Sequence, residues 1–398
     1  VLGYCRGVLE SGEDSAVLSA MNGSIDALGL APEKAEEYKR QLKDAFTTSF
    51  LPAYGQMVSV LEELQASGTN NEKGLAAFEH GREYYELLMQ ASTGSDKTVE
   101  EVRTMMERAM QRHIFRLQEV LMEAPDTLYA LYGELPATGY DSYEAILDDI
   151  QSRMFEDFPE VSGLAYDIFD LDEEIASTSG ITAYFNIPTL DGEAVRQLRV
   201  NPLTNDVSSI ATYSTVAHEG FPGHMYQYAY LYENVSSPWR KALADCPAYT
   251  EGYATYAQYA AFSYLDSVDS ALLQAYRENE MLTNCAVILA DIGIHYDGWT
   301  LEEMTDGLSS YGLEVNEAGA EGLYRQLQAN PCAFQPYYVG YEELLAMRES
   351  AQQALGGSFA EEGFHEAILK SGAAPFYVVQ RNVDAYISEA SGGVPAAA

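Results

Sequence analysis

Apolar residues recur along most of this chain at intervals of three and four, which is the spacing of amphipathic helices. The clearest case follows residues 98–101 (Thr-Val-Glu-Glu), in which the threonine and the last glutamate form a capping box at a helix start. The apolar stripe of that helix contains Val102, Met105, Met106, Ala109, Met110, Ile114, Leu117, Val120 and Leu121. The pattern predicts one long helix with a single buried face.

Similar patterns predict further helices on both sides of the long one. A helix that starts at Asp141, with Glu144 in its first turn, ends before Pro159, and another starts at Thr300 with Glu303. The remaining periodic stretches predict helices at about 33–48, 53–66 and 72–91. The chain is therefore predicted to be mainly α, a large multi-helix protein.

One segment departs from the helical pattern. Residues 181–187 are rich in β-branched and aromatic side chains, a proline ends the run, and residues 189–192 have the composition of a turn. Residues 195–200 then mix apolar with polar positions, so the sequence predicts a β-hairpin. The hairpin either caps the helices or offers a strand edge that holds an extended substrate as one more strand. In the second case, Phe185 and Asn186 are candidate substrate-binding residues.

No internal repeat, low-complexity linker or charge block marks a boundary between domains. We therefore expect one helical domain over residues 1–398, with N-terminal helices at 1–70, a core at 71–388 and a loose tail at 389–398. The chain begins at Val1 without a methionine or a basic segment. Either a signal peptide has been removed or the sequence starts inside a longer protein.

Charge and composition narrow the range of partners. The chain has 61 acidic and 22 basic residues, which gives a formal net charge of −39. A surface of that sign repels phosphate backbones and anionic membranes, so nucleic-acid binding is not expected. Because 47% of the residues are hydrophobic but no run of 18 is apolar, we expect a folded protein without a membrane span.

The cysteines are widely separated and form no CxxC pair, which excludes a zinc knuckle or a thioredoxin-like site. We expect buried free thiols, because a protein of this length does not depend on disulfides. These thiols are Cys5, Cys246, Cys285 and Cys332. The compartment and the oligomeric state stay open on these grounds, and a secreted or cell-surface-anchored bacterial protein is favoured over a cytoplasmic one.

The strongest chemical signal lies in residues 218–227, which read His-Glu-Gly-Phe-Pro-Gly-His-Met-Tyr-Gln. Two imidazoles can hold a zinc ion, and Glu219 beside them can take a proton from the zinc-bound water. The usual spacing of such histidines is i and i+4, whereas His218 and His224 are six positions apart. On an unbroken helix their side chains point about 120° apart and cannot share an ion. We therefore expect the Pro-Gly pair between them to interrupt the helix and to redirect His224.

A zinc site of this kind needs a third ligand. Glu251, which follows His224 by 27 positions at a predicted helix start, is the best candidate. Two histidines and one glutamate leave a coordination position open for water, which is the arrangement of a catalytic zinc site. The alternative is that the two histidines are structural and bind no metal.

These residues resemble the HExxPGHxxQ signature of the bacterial family called "domain of unknown function 885". That family is similar to the gluzincin metallopeptidases, near the thermostable carboxypeptidases and the thimet-type oligopeptidases. The resemblance covers roughly residues 70–388. Its other segments are 81–88 (GREYYELL) with 98–101, 250–254 (TEGYA), 291–295 (DIGIH) with Gly298 and Trp299, 331–340 (PCAFQPYYVG) and 364–369 (FHEAIL).

The resemblance implies a metallopeptidase-like helical fold with an active-site cleft and a small antiparallel β-sheet beside the metal. It implies one Zn²⁺ ion held by His218, His224 and Glu251, with Glu219 as the general base. It also offers Tyr337 as a catalytic hydroxyl that stabilises the oxyanion of the reaction.

Three further residues have alternative roles under the same resemblance. Tyr338 adjoins Tyr337, and the sequence does not separate the two. His295 either acts on the substrate or is a core histidine bonded to a backbone carbonyl. Arg348 either pairs with a substrate carboxylate or forms a structural ion pair. The chain departs from the family pattern in its shorter N-terminal region, in the missing glutamine of the 331–340 segment and in Tyr253, which replaces a tryptophan.

Three functions fit these observations. The leading one is a zinc metallopeptidase that hydrolyses peptide bonds. The second is a zinc hydrolase of non-peptide amides or esters on the same scaffold, since a fold does not fix a substrate. The third is a non-catalytic binding protein with a vestigial metal site.

Overall fold

The computed structural model describes residues 1–68, 73–172, 176–177, 180–190, 195–203 and 206–392. The fold is mainly α with one small β-sheet, which confirms the predicted fold class. The chain, which we predicted to be one domain over residues 1–398, contains two compact units. The first contains Val1–Glu72, Phe169–Thr182 and Arg199–Asn205, and the second contains Lys73–Ile168, Ala183–Leu198 and Asp206–Ala398.

The first unit contains the N-terminal helices. A π-helical turn at Phe46–Phe50 joins the third helix to the fourth, and its first residue is buried. The bounds agree with the predicted helices at 33–48 and 53–66 to within a few residues. The helices are α1 Leu2–Ser11, α2 Ala16–Ala27, α3 Pro32–Ala45 and α4 Leu51–Ser67.

The second unit holds the long predicted helix and the candidate site. Its helices are α5 Gly81–Thr93, α6 Val99–Glu123, α7 Thr127–Leu131, α8 Tyr143–Arg153, α9 Ile210–Glu219, α10 His224–Asn234, α11 Pro238–Leu243, α12 Pro247–Ala260, α13 Ser270–Ile292, α14 Leu301–Ser310, α15 Glu317–Ala329, α16 Gln335–Leu355, α17 Glu361–Leu369 and α18 Phe376–Ala390. None of the described helices is long and apolar enough to cross a membrane.

The capping boxes at Thr98 and Thr300 are both present, which confirms the predicted starts of α6 and α14. The apolar stripe of α6 packs against α13, and Val102 and Met106 are fully buried there. All four cysteines are free and buried, as predicted. The main core of the second unit therefore forms around α6 and α13, the longest helices described.

Two predicted helix starts were wrong. The helix expected at 72–91 begins only at Gly81, because a 3₁₀ turn at Leu75–Ala77 folds back over its start. A Cβ atom on Gly81 would lie 1.7 Å from the Leu75 carbonyl oxygen, so this close approach needs a glycine. At α8 the cap is Ser142 and not Asp141, since the serine Oγ accepts a hydrogen bond of 3.1 Å from an amide in the first turn.

The sheet consists of β1 Tyr166–Asp170, β2 Ala183–Asn186 and β3 Arg196–Val200, in the order β1-β3-β2. The pairing of β2 with β3 confirms the predicted hairpin, whereas Asp191 and Gly192 of its predicted turn lie outside the described residues. The prediction of an antiparallel sheet was wrong. Hydrogen bonds from Arg196 to Ala165 and from Leu171 to Val200 show that β1 runs parallel to β3, so the sheet is mixed.

Helices α12 and α16 cross with their backbones in contact. A Cβ atom on Gly252 would lie 2.5 Å from the Cα atom of Gly340, and one on Gly340 would lie 2.1 Å from the Ala248 carbonyl oxygen. Neither position can accept a side chain unless the helices separate. The crossing lies next to Glu251 on α12 and one turn from Tyr337 on α16.

We expect Gly252→Ala to lower the free energy of unfolding by about 1–3 kcal/mol, because the added methyl group overpacks a backbone contact. Gly322→Ala is the matched control, since that glycine lies inside α15 with no atom near the position of its Cβ. The control should be neutral or should stabilise by about 0.5–1 kcal/mol. Urea unfolding of the two variants measures the difference, and equal midpoints would contradict the close crossing.

Candidate metal centre

The helix is interrupted between the two histidines of the motif, as predicted. Helix α9 ends at Glu219 and α10 begins at His224, and the Phe221–Pro222 peptide bond between them is cis. The Gly223 amide donates a hydrogen bond of 3.0 Å to the Ala217 carbonyl. A Cβ atom on Gly223 would lie 1.9 Å from the His218 carbonyl oxygen. The second helix can therefore start directly over the last turn of the first only with glycine at this position.

This arrangement brings His218, His224 and Glu251 together. The Oε2 atom of Glu251 lies 3.5 Å from Nε2 of His218 and 3.2 Å from Nε2 of His224. The possible ligand atoms of the three residues all lie within 4.8 Å of one another. Both imidazoles are buried, and 26% of the Glu251 side chain is exposed.

These separations fit a tetrahedral zinc ion. Bonds of 2.0–2.2 Å at tetrahedral angles place neighbouring ligand atoms about 3.4 Å apart. The two measured distances from Glu251 to the imidazoles are 3.5 and 3.2 Å, close to that value. The chemistry of two histidines and one carboxylate also fits zinc.

Two glutamines orient the imidazoles. Nδ1 of His218 lies 2.9 Å from Oε1 of Gln258, and Nδ1 of His224 lies 3.4 Å from Oε1 of Gln227. An amide oxygen can only accept, so a neutral ring at either position carries its proton on Nδ1 and presents the Nε2 lone pair to the centre. No role was predicted for these two glutamines. The available signal was helical spacing, since Gln227 follows His224 by three positions and Gln258 follows Glu251 by seven.

The charges of the group reinforce one another. Burial alone would raise the pKa of Glu251, but hydrogen bonds from His218 and His224 outweigh that effect and lower it to about 2. Burial would likewise lower the pKa of His224, but its hydrogen bond to Glu251 and the charge of Glu219 raise it above the ordinary value. The carboxylate is thus ionised at all ordinary pH values, and a proton is favoured on the imidazole when no cation is bound.

Glu219 lies at the end of α9 with its carboxylate at the edge of the sheet. Its Oε2 atom accepts a hydrogen bond of 2.8 Å from the backbone amide of Phe185 in β2. Strand β2 is the last strand on its side of the sheet order, so the Phe185 amide points away from β3. The predicted base and the predicted strand edge therefore meet beside the histidines.

The structure separates the two adjacent tyrosines. The ring of Tyr337 stacks on His218 with centroids 6.0 Å apart, and burial together with the charges of Glu251 and Glu219 raises its pKa. The ring of Tyr338 stacks instead on Phe334 at 6.2 Å and packs against the main core. Tyr337 is therefore the tyrosine of the metal group.

Three other predicted site residues lie elsewhere. His295 was predicted either to act on the substrate or to be a core histidine bonded to a backbone carbonyl. Its Nδ1 accepts from the Leu75 amide at 3.1 Å and its Nε2 donates to the Leu327 carbonyl at 2.9 Å, as in the second alternative. Arg348 pairs with Glu361 and lies over the Phe359 ring, which is an ion pair of the kind given as its second alternative.

Asn186 was a candidate substrate-binding residue together with Phe185. Its amide donates to Oε1 of Gln197 on β3 at 3.4 Å, and its side chain is exposed. Because side chains alternate along a strand, the buried Phe185 ring lies on the other face. There it packs on Tyr228, with the two ring centroids 5.8 Å apart. Asn186 thus contributes to strand pairing, and Phe185 is the residue of β2 that reaches the site.

A second group of metal-binding residue types is buried in the same unit. His113, Cys285 and Glu342 lie close enough to share an ion. However, the His113 ring already bridges two carboxylates, with Nδ1 2.5 Å from Glu278 and Nε2 2.8 Å from Glu342. Arginines pair with both carboxylates as well. The charges of this group are therefore balanced internally, unlike those of the group at Glu251.

Comparison of the sequence with known protein families identifies the family of this chain. The family described as "Bacterial protein of unknown function (DUF885)" matches residues 1–383, nearly the whole chain. The chain belongs to the DUF885 family. The match includes the N-terminal helices as well as the core, so the family extends over both compact units.

Solved structures of other proteins share the fold of this DUF885 protein. One is the crystal structure of a "putative lipoprotein" from Colwellia psychrerythraea, with a TM-score of 0.81, 21% identity, and coverage of 98% of this chain and 69% of that one. Another is the structure of a "putative lipoprotein of unknown function" from Shewanella oneidensis. Its TM-score is 0.61 at 17% identity, and the match covers 96% of this chain and 73% of that one. No curated protein matches the chain. These likenesses show the fold.

We expect the affinity for Zn²⁺ to fall as the pH drops through the raised pKa of His224. Zinc needs a neutral imidazole, so a proton and the ion compete for the same nitrogen. Affinity should rise by roughly tenfold per pH unit below that pKa and level off above it. Calorimetric zinc titrations of metal-free protein between about pH 5 and pH 8 measure this.

Glu251→Gln is the companion variant in that titration. It removes one ligand and also the negative charge that raises the pKa of His224. The variant should bind zinc more weakly, and its affinity should level off at a lower pH than that of the parent protein. Equal and pH-independent affinities in the two proteins would show that zinc binds elsewhere.

Proposed function

We propose that this DUF885 protein is a zinc-dependent metallopeptidase that hydrolyses peptide bonds. The observation that carries the proposal is the convergence of His218, His224 and Glu251 at zinc-ligand separations, with a second carboxylate, that of Glu219, bonded to edge strand β2 beside them. The gluzincin resemblance and the zinc assignment are part of this proposal.

Glu219 has the position required of a general base. When bound, zinc supplies a Lewis acid that polarises a carbonyl group and acidifies a water molecule. The Glu219 carboxylate lies next to the ligand group, and its charge reaches both His224 and Tyr337. It can accept the proton of the attacking water and deliver that proton to the amine that leaves.

Tyr337 supplies a hydroxyl group beside the ligands, since its ring stacks on His218 and it interacts with Glu251. Its pKa is raised by burial and by the neighbouring carboxylates, so the phenol keeps its proton. A protonated phenol can donate a hydrogen bond to the oxygen on which negative charge develops during attack on a carbonyl. Tyr337 and Glu219 thus supply the donor and the base that amide hydrolysis needs.

Strand β2 favours a peptide over other amides and esters as the substrate. It lies at the edge of the sheet, and the amide of Phe185 points outward to Glu219. An extended peptide can pair with such an edge through main-chain hydrogen bonds, which would set its scissile bond beside the base. Small amides and esters without a main chain gain nothing from this edge.

We also propose that the protein works outside the cytoplasm. The two similar solved structures come from proteins described as "putative lipoprotein", and the sequence favours a secreted or surface-anchored protein. The buried free thiols fit either compartment, because they are shielded from oxidants.

We expect Glu219→Gln to lower the kcat for peptide hydrolysis by about 10²- to 10⁴-fold while zinc affinity changes little. The amide keeps the size of the side chain but cannot accept the proton. A set of unstructured peptides, with cleavage followed by mass spectrometry on zinc-loaded protein, measures the loss.

Glu314→Gln is the control, since it removes the same charge from an exposed loop. It should cleave the peptides like the parent protein. If the parent cleaves small amides but no peptide, the hydrolase acts on a different substrate class. If zinc-loaded parent cleaves neither, the protein is a non-catalytic binder and the proposal fails.

A further inference from the structure

A polar network is buried inside the main apolar core of the second unit. The hydroxyl of Tyr85 donates to Oδ2 of Asp291 at 2.6 Å. The amide nitrogen of Gln335 donates to the same oxygen at 3.1 Å and to the Tyr85 hydroxyl at 2.8 Å. Each of these side chains is at most 2% exposed. The three residues come from α5, α13 and α16, so the network joins three helices at one point.

The network also fixes the loop in front of α16. The backbone amide of Cys332 lies 3.3 Å from both carboxylate oxygens of Asp291. Cys332 has a φ of 63°, in the left-handed region that residues other than glycine seldom adopt. The carboxylate therefore holds a loop residue in an uncommon conformation three residues before the helix begins at Gln335.

Stability alone does not account for these residues. Burial raises the pKa of Asp291 to about 7 despite three hydrogen bonds, and Oε1 of Gln335 has no partner among the described residues. Burying such groups is unfavourable, and apolar side chains of the same volume generally stabilise a core better. Polar groups kept under these conditions point to a positional role.

The element that the network holds leads directly to the metal group. Tyr337 lies two residues after Gln335, in the first turn of α16, and its ring stacks on His218. A first turn has few intrahelical bonds of its own, so its position depends on what anchors its start. In this chain that anchor is the carboxylate of Asp291 and the amide of Gln335.

We infer that Asp291 and Gln335 are positioning residues, which hold the start of α16 so that the Tyr337 hydroxyl faces the metal group. The inference rests on the proposed function for its effect on turnover, but not for its structural content. It assigns a role to the 291–295 segment that the metal centre itself does not use. His295, one turn after Asp291, extends the anchor by bonding the backbone at Leu75 and Leu327.

The test is a double-mutant cycle between Asp291→Asn and Tyr337→Phe in zinc-loaded protein. Asparagine keeps the size of the side chain but turns one acceptor into a donor against its amide partners. Asp291→Asn should lower the kcat for a peptide by about 10- to 100-fold, with KM and zinc affinity within about twofold of the parent. In the Tyr337→Phe background the same change should lower kcat by less than about twofold, because the hydroxyl is already absent.

An equal loss of kcat in both backgrounds would overturn the inference, since Asp291 would then act by general stability. Gln335→Leu repeats the cycle if Asp291→Asn does not fold. Thr93→Val is the control, because it removes a buried hydroxyl of α5 that donates to the Met89 carbonyl of the same helix. The control should leave kcat unchanged in both backgrounds.

A readout without turnover separates this inference from the proposed function. With 3-fluorotyrosine placed at position 337, the ¹⁹F resonance should shift or broaden in Asp291→Asn and in Gln335→Leu, and should stay fixed in Thr93→Val. An unchanged resonance in the first two variants would overturn the positioning role. If the resonance moves while the parent protein hydrolyses nothing, the positioning role stands and the peptidase proposal fails.

Discussion

The backbone contact between α12 and α16 is the constraint on which the candidate site depends. Gly252 and Gly340 let the two helices touch without side chains between them. Glu251 precedes the first glycine by one residue, and Tyr337 precedes the second by one turn, so the crossing sets both beside the histidines. A wider crossing would move the carboxylate away from the imidazoles, and the separations of 3.2 and 3.5 Å that fit a metal ion would be lost.

The positions of the two histidines also depend on a close backbone contact that only glycine allows. Gly223 allows α10 to start against the last turn of α9, which brings two residues that are six positions apart to one centre. Two carboxylates, those of Glu219 and Glu251, lie at this centre. Their described ion pairs include no arginine or lysine, so the centre has a net negative charge when its histidines are neutral. This imbalance favours a bound cation. The group at His113 differs, since arginines neutralise its carboxylates.

Features of the fold that depend on neighbouring residues could be predicted from the sequence. Features that depend on contacts between distant segments could not. The capping boxes at Thr98 and Thr300 depend on residues within one turn, so both helix starts could be predicted. The break at Pro222 and Gly223 followed from backbone chemistry in the same way. The parallel pairing of β1 with β3 depends on segments that are far apart in sequence, and no local pattern encodes it.

The same distinction between local and long-range contacts applies to the site residues. The grouping of His218, His224 and Glu251 could be predicted, because a metal site limits the residue types and the helix break limits the geometry. The sequence left two roles open for His295 and could not decide between them, since one of its partners, Leu75, lies 220 positions away. The choice between Tyr337 and Tyr338 depends on how α16 is rotated against its neighbours, which only packing decides.

Zinc K-edge X-ray absorption of protein loaded with one equivalent of Zn²⁺ tests the central claim most directly. The account predicts a shell of nitrogen and oxygen ligands at about 2.0–2.2 Å that includes two imidazoles, and this shell should lose an imidazole in His224→Gln. A sulfur ligand at about 2.3 Å would contradict it, because it would place the ion at Cys285 beside His113 and not at Glu251.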